Sequence, residues 1–83
     1  MLDEALKKTN SRTVGIKQTL RALEKEKVLR VYVAQDAEKQ VVRPVLELCQ
    51  SKEIEIKEVP TMAELGKACG IEVGAAVAAL LAR

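Results

Sequence analysis

The stretch Val28-Leu29-Arg30-Val31-Tyr32-Val33-Ala34 decides the fold class. It is apolar at six of its seven positions and rich in β-branched residues. A strand with one wet face alternates apolar and polar residues. This one does not, so it reads as a strand buried on both faces, in a sheet covered by helices on each side.

Upstream lies VGIKQTLRALEKEK, residues 14–27, with Ile16, Leu20 and Leu23 at i, i+4 and i+7, an amphipathic helix. Gly15 stands at its N-cap, where it leaves the first N–H groups uncovered. Lys17, Gln18 and Arg21 lie off the apolar stripe, with Arg21 one turn on from Lys17 (i, i+4) and Gln18 (i, i+3). Before this helix, Thr13-Val14 reads as a very short strand, residues 9–13 as a polar connection, and residues 3–9 as a short helix with Leu2, Ala5 and Leu6 on one edge.

Downstream, Asp36 is placed to cap a helix running roughly from Glu38 to Ser51, with apolar residues at 41, 42, 45, 46, 48 and 49. Pro44 either belongs to its first turn or kinks it. Residues 54–59 open in alternation, Ile54-Glu55-Ile56-Lys57, and read as a strand with one wetter face that Pro60 ends. Thr61-Met62-Ala63-Glu64 has the form of a capping box, with a short helix to about Cys69. Gly70 then sits where a left-handed residue ends a helix. The tail GAAVAALLAR, residues 74–83, is read two ways. Ala and Leu favour helix by propensity, whereas small side chains also suit a strand with helices packed close on both faces. Strands alternating with helices make this an α/β domain, a single one over residues 1–83.

Composition narrows the chemistry. There is no His, and Cys49 and Cys69 match no zinc spacing, so metal binding is not expected and both thiols read as buried and reduced. No catalytic constellation or phosphate loop stands out, so the chain reads as a non-enzyme without cofactor. The longest uncharged run, Val73 to Ala82, is ten residues, short of the ~20 that span a bilayer. With no signal-peptide pattern, a cytoplasmic protein with no membrane partner is expected. Residues 1–30 carry eight Lys or Arg against four Asp or Glu, whereas residues 31–83 carry six against eight. The basic excess is therefore N-terminal and hints at an anionic partner. One tyrosine and no Phe or Trp cannot build a stacking platform, so any RNA would be read through its fold.

Two stretches together resemble a known family. Gly15-Ile16-Lys17-Gln18-Thr19-Leu20-Arg21-Ala22-Leu23 is similar to the helix-start motif of the kink-turn RNA-binding family of ribosomal proteins, the L-seven-Ae and L-thirty-e group. Leu65-Gly66-Lys67-Ala68-Cys69-Gly70-Ile71-Glu72-Val73 resembles its second motif, and residues 31–37 also fit. The likeness covers nearly the whole chain and looks nearest to the small bacterial paralogues. These share Lys17 and Gln18, where the archaeal pattern has Asn and Glu.

The resemblance implies a three-layer α/β/α sandwich around a mixed four-stranded sheet, with the alanine-rich tail as its last strand. It implies a partner: RNA rather than DNA, containing a kink-turn (a duplex with a short bulge followed by sheared G·A pairs), in ribosomal RNA, an mRNA leader or a riboswitch, bound by a monomer. It implies that Gly15, Ile16, Lys17, Gln18 and Arg21 read the RNA from one side, and Asp36, Lys67, Ile71, Glu72 and Val73 from the other. Gly66 would let its helix approach RNA or sheet closely, and Gly74 would start the last strand. Ile71 could instead pack back on its own helix after the glycine cap. The competing reading of the whole is a protein-interaction module or ribosome-associated scaffold, its basic helix set against an acidic protein surface.

Overall fold

The computed structural model describes residues 11–82. The helix expected over residues 3–9 lies outside them. Four strands and three helices follow in order: β1 (Arg12–Val14), α1 (Ile16–Lys25), β2 (Val28–Ala34), α2 (Lys39–Lys52), β3 (Glu55–Val59), α3 (Met62–Ala68) and β4 (Val77–Leu81). The sheet order is β1-β4-β2-β3. Strand β4 pairs antiparallel with β1 and β2, and β2 pairs parallel with β3, so the sheet is mixed.

The register shows how the faces are used. Arg12 and Arg30 both oppose Leu80, while Val14 and Tyr32 oppose Ala78, which puts these side chains on one face. Thr13, Ala79 and Val31 share the other. Helix α1 covers the Thr13 face, because Thr13 and Thr19 share a buried hydroxyl–hydroxyl bond of 2.8 Å. Helix α2 packs against α1. Helix α3 packs against β2, β3 and β4, with its end on the Arg12 face. The α/β/α sandwich is thus present.

Strand β4 is buried at every position and is the strand that the resemblance implied. Local propensity loses here because β4 lies between β1 and β2, with Ala78, Ala79 and Leu80 paired on both edges, and every position is buried. Strand β2 is buried from Val31 to Ala34, and Tyr32 is enclosed, its hydroxyl bonded to Arg30 Nη1 at 3.2 Å. Leu29 stands in a register shift between Val28 and Arg30 and is exposed.

Two expectations need correction, on β3 and Asp36, and one open choice, on Pro44, is decided. Strand β3 lies at an edge and is exposed over Glu55–Glu58, wetter than its alternation implied. Helix α2 runs through Pro44, which is not in its first turn. The ring removes the donor for the Gln40 carbonyl, and both residues face solvent. Asp36 does not cap α2, whose N-cap position is Glu38 with no side-chain bond. The Asp36 carboxylate accepts instead from the Met62 N–H at 2.8 Å, at the start of α3.

Candidate nucleic-acid interface

Helix α1 begins at a bare backbone. Gly15 has φ 94° and ψ 167°, a conformation that favours glycine, and no side chain caps the helix. A Cβ added there would meet nothing within 4 Å, so the space in front of this turn is open. The Gly15 N–H donates to the Val77 carbonyl at 2.9 Å, which fixes the turn to the start of β4. Its own carbonyl accepts the first helical bond, from Thr19. The N–H groups of Ile16, Lys17 and Gln18 precede that bond and have no acceptor within the helix. Anions are favoured at such an end.

The side chains around this turn are set by local packing. Thr19, Ala22 and Leu23 are buried, which turns Lys17, Gln18 and Arg21 to solvent. Gln18 Oε1 accepts from the Val14 N–H at 3.3 Å, which orients the amide and leaves its NH₂ donors directed elsewhere. Arg12, Lys17, Gln18 and Arg21 border a cleft of about 350 Å³, with Thr13, Ala22, Glu26 and Leu81 also lining it. Three cations and one carboxylate, that of Glu26, meet on one concave surface, which leaves it with an excess of positive charge.

The second segment is built on α3. Thr61 Oγ1 accepts from the Glu64 N–H at 3.1 Å, the cap that the TMAE pattern suggested. The helix ends in a Schellman motif: the Gly70 N–H reaches the Lys67 carbonyl, the Ile71 N–H reaches the Gly66 carbonyl, and Gly70 has φ 80°. The chain then folds back over its own helix. A Cβ on Gly66 would overlap the Val73 carbonyl oxygen, so the bare position accommodates this loop rather than RNA or the sheet. A Cβ on Gly74 would lie 3.0 Å from Met62 Cβ, and the Ala75 N–H donates to the Met62 carbonyl at 3.0 Å. Gly74 therefore belongs to this crossing, and β4 starts only at Val77.

The crossing divides the fingertip. Ile71 is half-buried and packs against the core, as the usual contact after a glycine cap. Glu72, Val73 and Lys67 are exposed, and Val73 is 71% exposed. Two apolar side chains were expected on the loop surface, and Val73 is the one mostly offered to solvent. Asp36 lies across the start of α3 and fastens the β2–α2 turn to it.

Arg12 connects the two segments. Its Nη2 donates to the Cys69 carbonyl at 2.6 Å while its side chain also borders the α1 cleft. Sequence reading missed this residue, which sits in a polar connection without periodicity and bonds a partner 57 positions away. The Thr13–Thr19 bond was missed for a related reason: neither threonine is apolar, so neither was assigned to the core. Both cysteines are free and buried. Burial pushes the Cys49 thiol above its ordinary value, and also that of Cys69, where the Arg12 guanidinium partly opposes it. Among the described residues no group of three His, Cys, Asp or Glu could hold a metal ion, and no helix is long and apolar enough to cross a membrane.

Known proteins resemble this chain in sequence and in fold. The model of the ribosomal protein L7Ae/L30e/S12e/Gadd45 family matches residues 2–82. An RNA-binding protein of Caldanaerobacter subterraneus subsp. tengcongensis is 54% identical over 68 residues, covering 82% of this chain and 83% of that protein. An RNA-binding protein of Halalkalibacterium halodurans is 49% identical over 77 residues, 93% of this chain and 94% of that protein. Among solved structures, the Giardia lamblia 15.5kD RNA binding protein superposes with a TM-score of 0.87 at 21% identity, over 96% of this chain and 70% of its own, a likeness of fold. With a family model spanning almost the whole chain and relatives near half-identity over most of their length, this protein belongs to the ribosomal protein L7Ae/L30e/S12e/Gadd45 family.

Proposed function

We propose that this protein is a non-enzymatic, structure-specific RNA-binding protein that recognises and stabilises kink-turns, in a ribosomal RNA, an mRNA leader or a riboswitch. The observation that carries the reading is the bond from Arg12 to the Cys69 carbonyl, which supports treating the uncapped helix and the glycine-hinged loop as parts of one surface. An undistorted A-form major groove is too deep and narrow for side chains, and a sharp bend opens it. The start of α1 would enter there. Its free N–H groups would meet phosphate, and Lys17 would donate to O6 and N7 of a guanine in the sheared pairs. Gln18, with its carbonyl held by Val14, would direct its NH₂ to the same edge. Arg21, one turn on, would contact guanine or phosphate. The exposed Val73 would cover an unstacked base at the bulge, with Glu72 beside it, and Lys67 would meet the backbone.

The protein acts by selecting the bent state. RNA that samples extended and kinked forms is drawn to the kinked one by the difference in affinity for the two. Titration with a kink-turn hairpin, and with the same duplex lacking the bulge or the G·A pairs, tests this directly. Tighter binding to the kinked RNA is expected. Equal affinity for all three would overturn it and favour the docking of an acidic protein surface on the basic helix.

A further inference from the structure

Arg12 does something that charge alone does not require. It stands on β1, three residues before the Gly15 turn, and its side chain crosses to the opposite end of the site. Cys69, whose carbonyl it binds, is the C-cap residue of α3, immediately before the left-handed Gly70. A Cβ on Gly70 would sit 3.7 Å from Arg12 Nη2, so the guanidinium lies against the hinge itself. Carbonyls at a helix end lack intrahelical donors and carry the negative end of its dipole, and a cation there makes a short, charge-assisted bond. Among the described residues, the hinge's other backbone bonds run to its own helix: Gly70 to Lys67, Ile71 to Gly66, Ala75 to Met62. Arg12 relates it to the β1–α1 segment.

We propose that Arg12 is a positioning residue that couples the glycine-hinged loop to the recognition helix and presets the gap between them before RNA arrives. The inference rests on the RNA reading above. A loop already held in its bound place loses less freedom on binding, so the gain is in preorganisation rather than in a new contact. Arg12 thereby governs how well Val73 can act, although it is 61 residues away in sequence.

The test uses Arg12→Met, which keeps most of the stem and removes every donor. In the free protein, amide exchange at Gly70 and Ile71 is expected to quicken about tenfold, the loss of one charge-assisted bond. Kink-turn affinity is expected to fall about three- to tenfold, with the slope of log K against log salt unchanged. In the Arg12→Met background, Val73→Ala should cost much less than it does alone. If Arg12→Met fails to fold, Arg12→Lys, which keeps the charge and one donor group, serves with smaller shifts in the same directions. Unaltered exchange at Gly70 and Ile71 would overturn the proposal. So would a salt slope reduced by about one with fully additive Val73→Ala, which marks a direct phosphate contact. The exchange measurement needs no RNA. If the wild type shows no preference for kinked RNA, the functional reading fails while the tie between Arg12 and the hinge is judged separately.

Discussion

Replacing Gly66 with alanine probes the crossing of the loop over α3. The new Cβ would overlap the Val73 carbonyl oxygen and lie 3.0 Å from its carbonyl carbon and 3.2 Å from Gly74 Cα. All three are backbone atoms, so no side-chain rotation relieves the contact. The loop must lift by roughly 1.5 Å to bring its nearest backbone atom to the ~3.5 Å of ordinary packing contact. Two effects on stability oppose each other. Alanine in a helix gains ~1 kcal/mol over glycine, and overpacking costs ~1–3 kcal/mol, so a net loss of roughly 0–2 kcal/mol is expected. Under the proposed function, RNA binding is expected to suffer more. Full burial of a valine stabilises by ~1.5–2 kcal/mol, and Val73 has 71% of its surface left to cover, so a displaced fingertip forfeits about 1 kcal/mol. A strained Ile71–Gly66 bond adds ~1 kcal/mol. Together, ~2 kcal/mol is about thirty-fold in affinity. Denaturant unfolding and fluorescence anisotropy with a labelled kink-turn hairpin measure the two parts. A Gly66→Ala protein that binds like the wild type, or is more stable by the full helix propensity, would refute the reasoning.

Three further predictions follow from the same geometry. Lys17→Ala and Arg21→Ala should each weaken kink-turn binding by ~1–3 kcal/mol if they read base edges, whereas Lys67→Ala should chiefly shallow the salt dependence by about one unit of slope; gel-shift titrations at several salt concentrations separate the two. Thr19→Val should destabilise by ~1–3 kcal/mol because it strands the buried Thr13 hydroxyl, while the double variant Thr13→Val/Thr19→Val should recover most of that loss, as read by denaturant midpoints. Burial raises both thiols above their ordinary value in the folded chain, so the unfolded chain ionises first; their contribution to stability is full below the ordinary thiol value and is lost as pH rises through the folded values. The Cys49→Ala/Cys69→Ala variant should therefore lose less stability than the wild type between pH 8 and pH 10, and an equal loss would count against the burial effect.

Much of this molecule was legible wherever the cause is local. Strand β2 announces itself because two covered faces demand a continuous apolar run. Helix α3 is bracketed by Thr61 and Gly70, whose hydroxyl and missing Cβ act within a few residues. Strand β4 was not legible by propensity, since alanine and leucine favour helix, and only the family likeness assigned it. Asp36 was misassigned because a capping carboxylate serves whichever helix start comes near it, and here that is Met62, 26 residues on. Lys17, Gln18, Arg21 and the glycine pattern drew notice through spacing. Arg12 did not, because its partner is a backbone carbonyl, and any residue carries one.

The alanines of β4 have a consequence beyond packing. Ala78 looks toward the α3 layer and Ala79 toward the α1 layer, so the smallest side chains in the sheet stand between the two arms that would grip RNA. They act as a gauge block. Both positions are fully buried, so an added methylene at either would be expected to push one arm outward without altering any group that faces solvent. Under the proposed function, the spacing of these arms would be set by a buried strand, and variants that retune the fit to differently bent helices would arise far from any nucleotide.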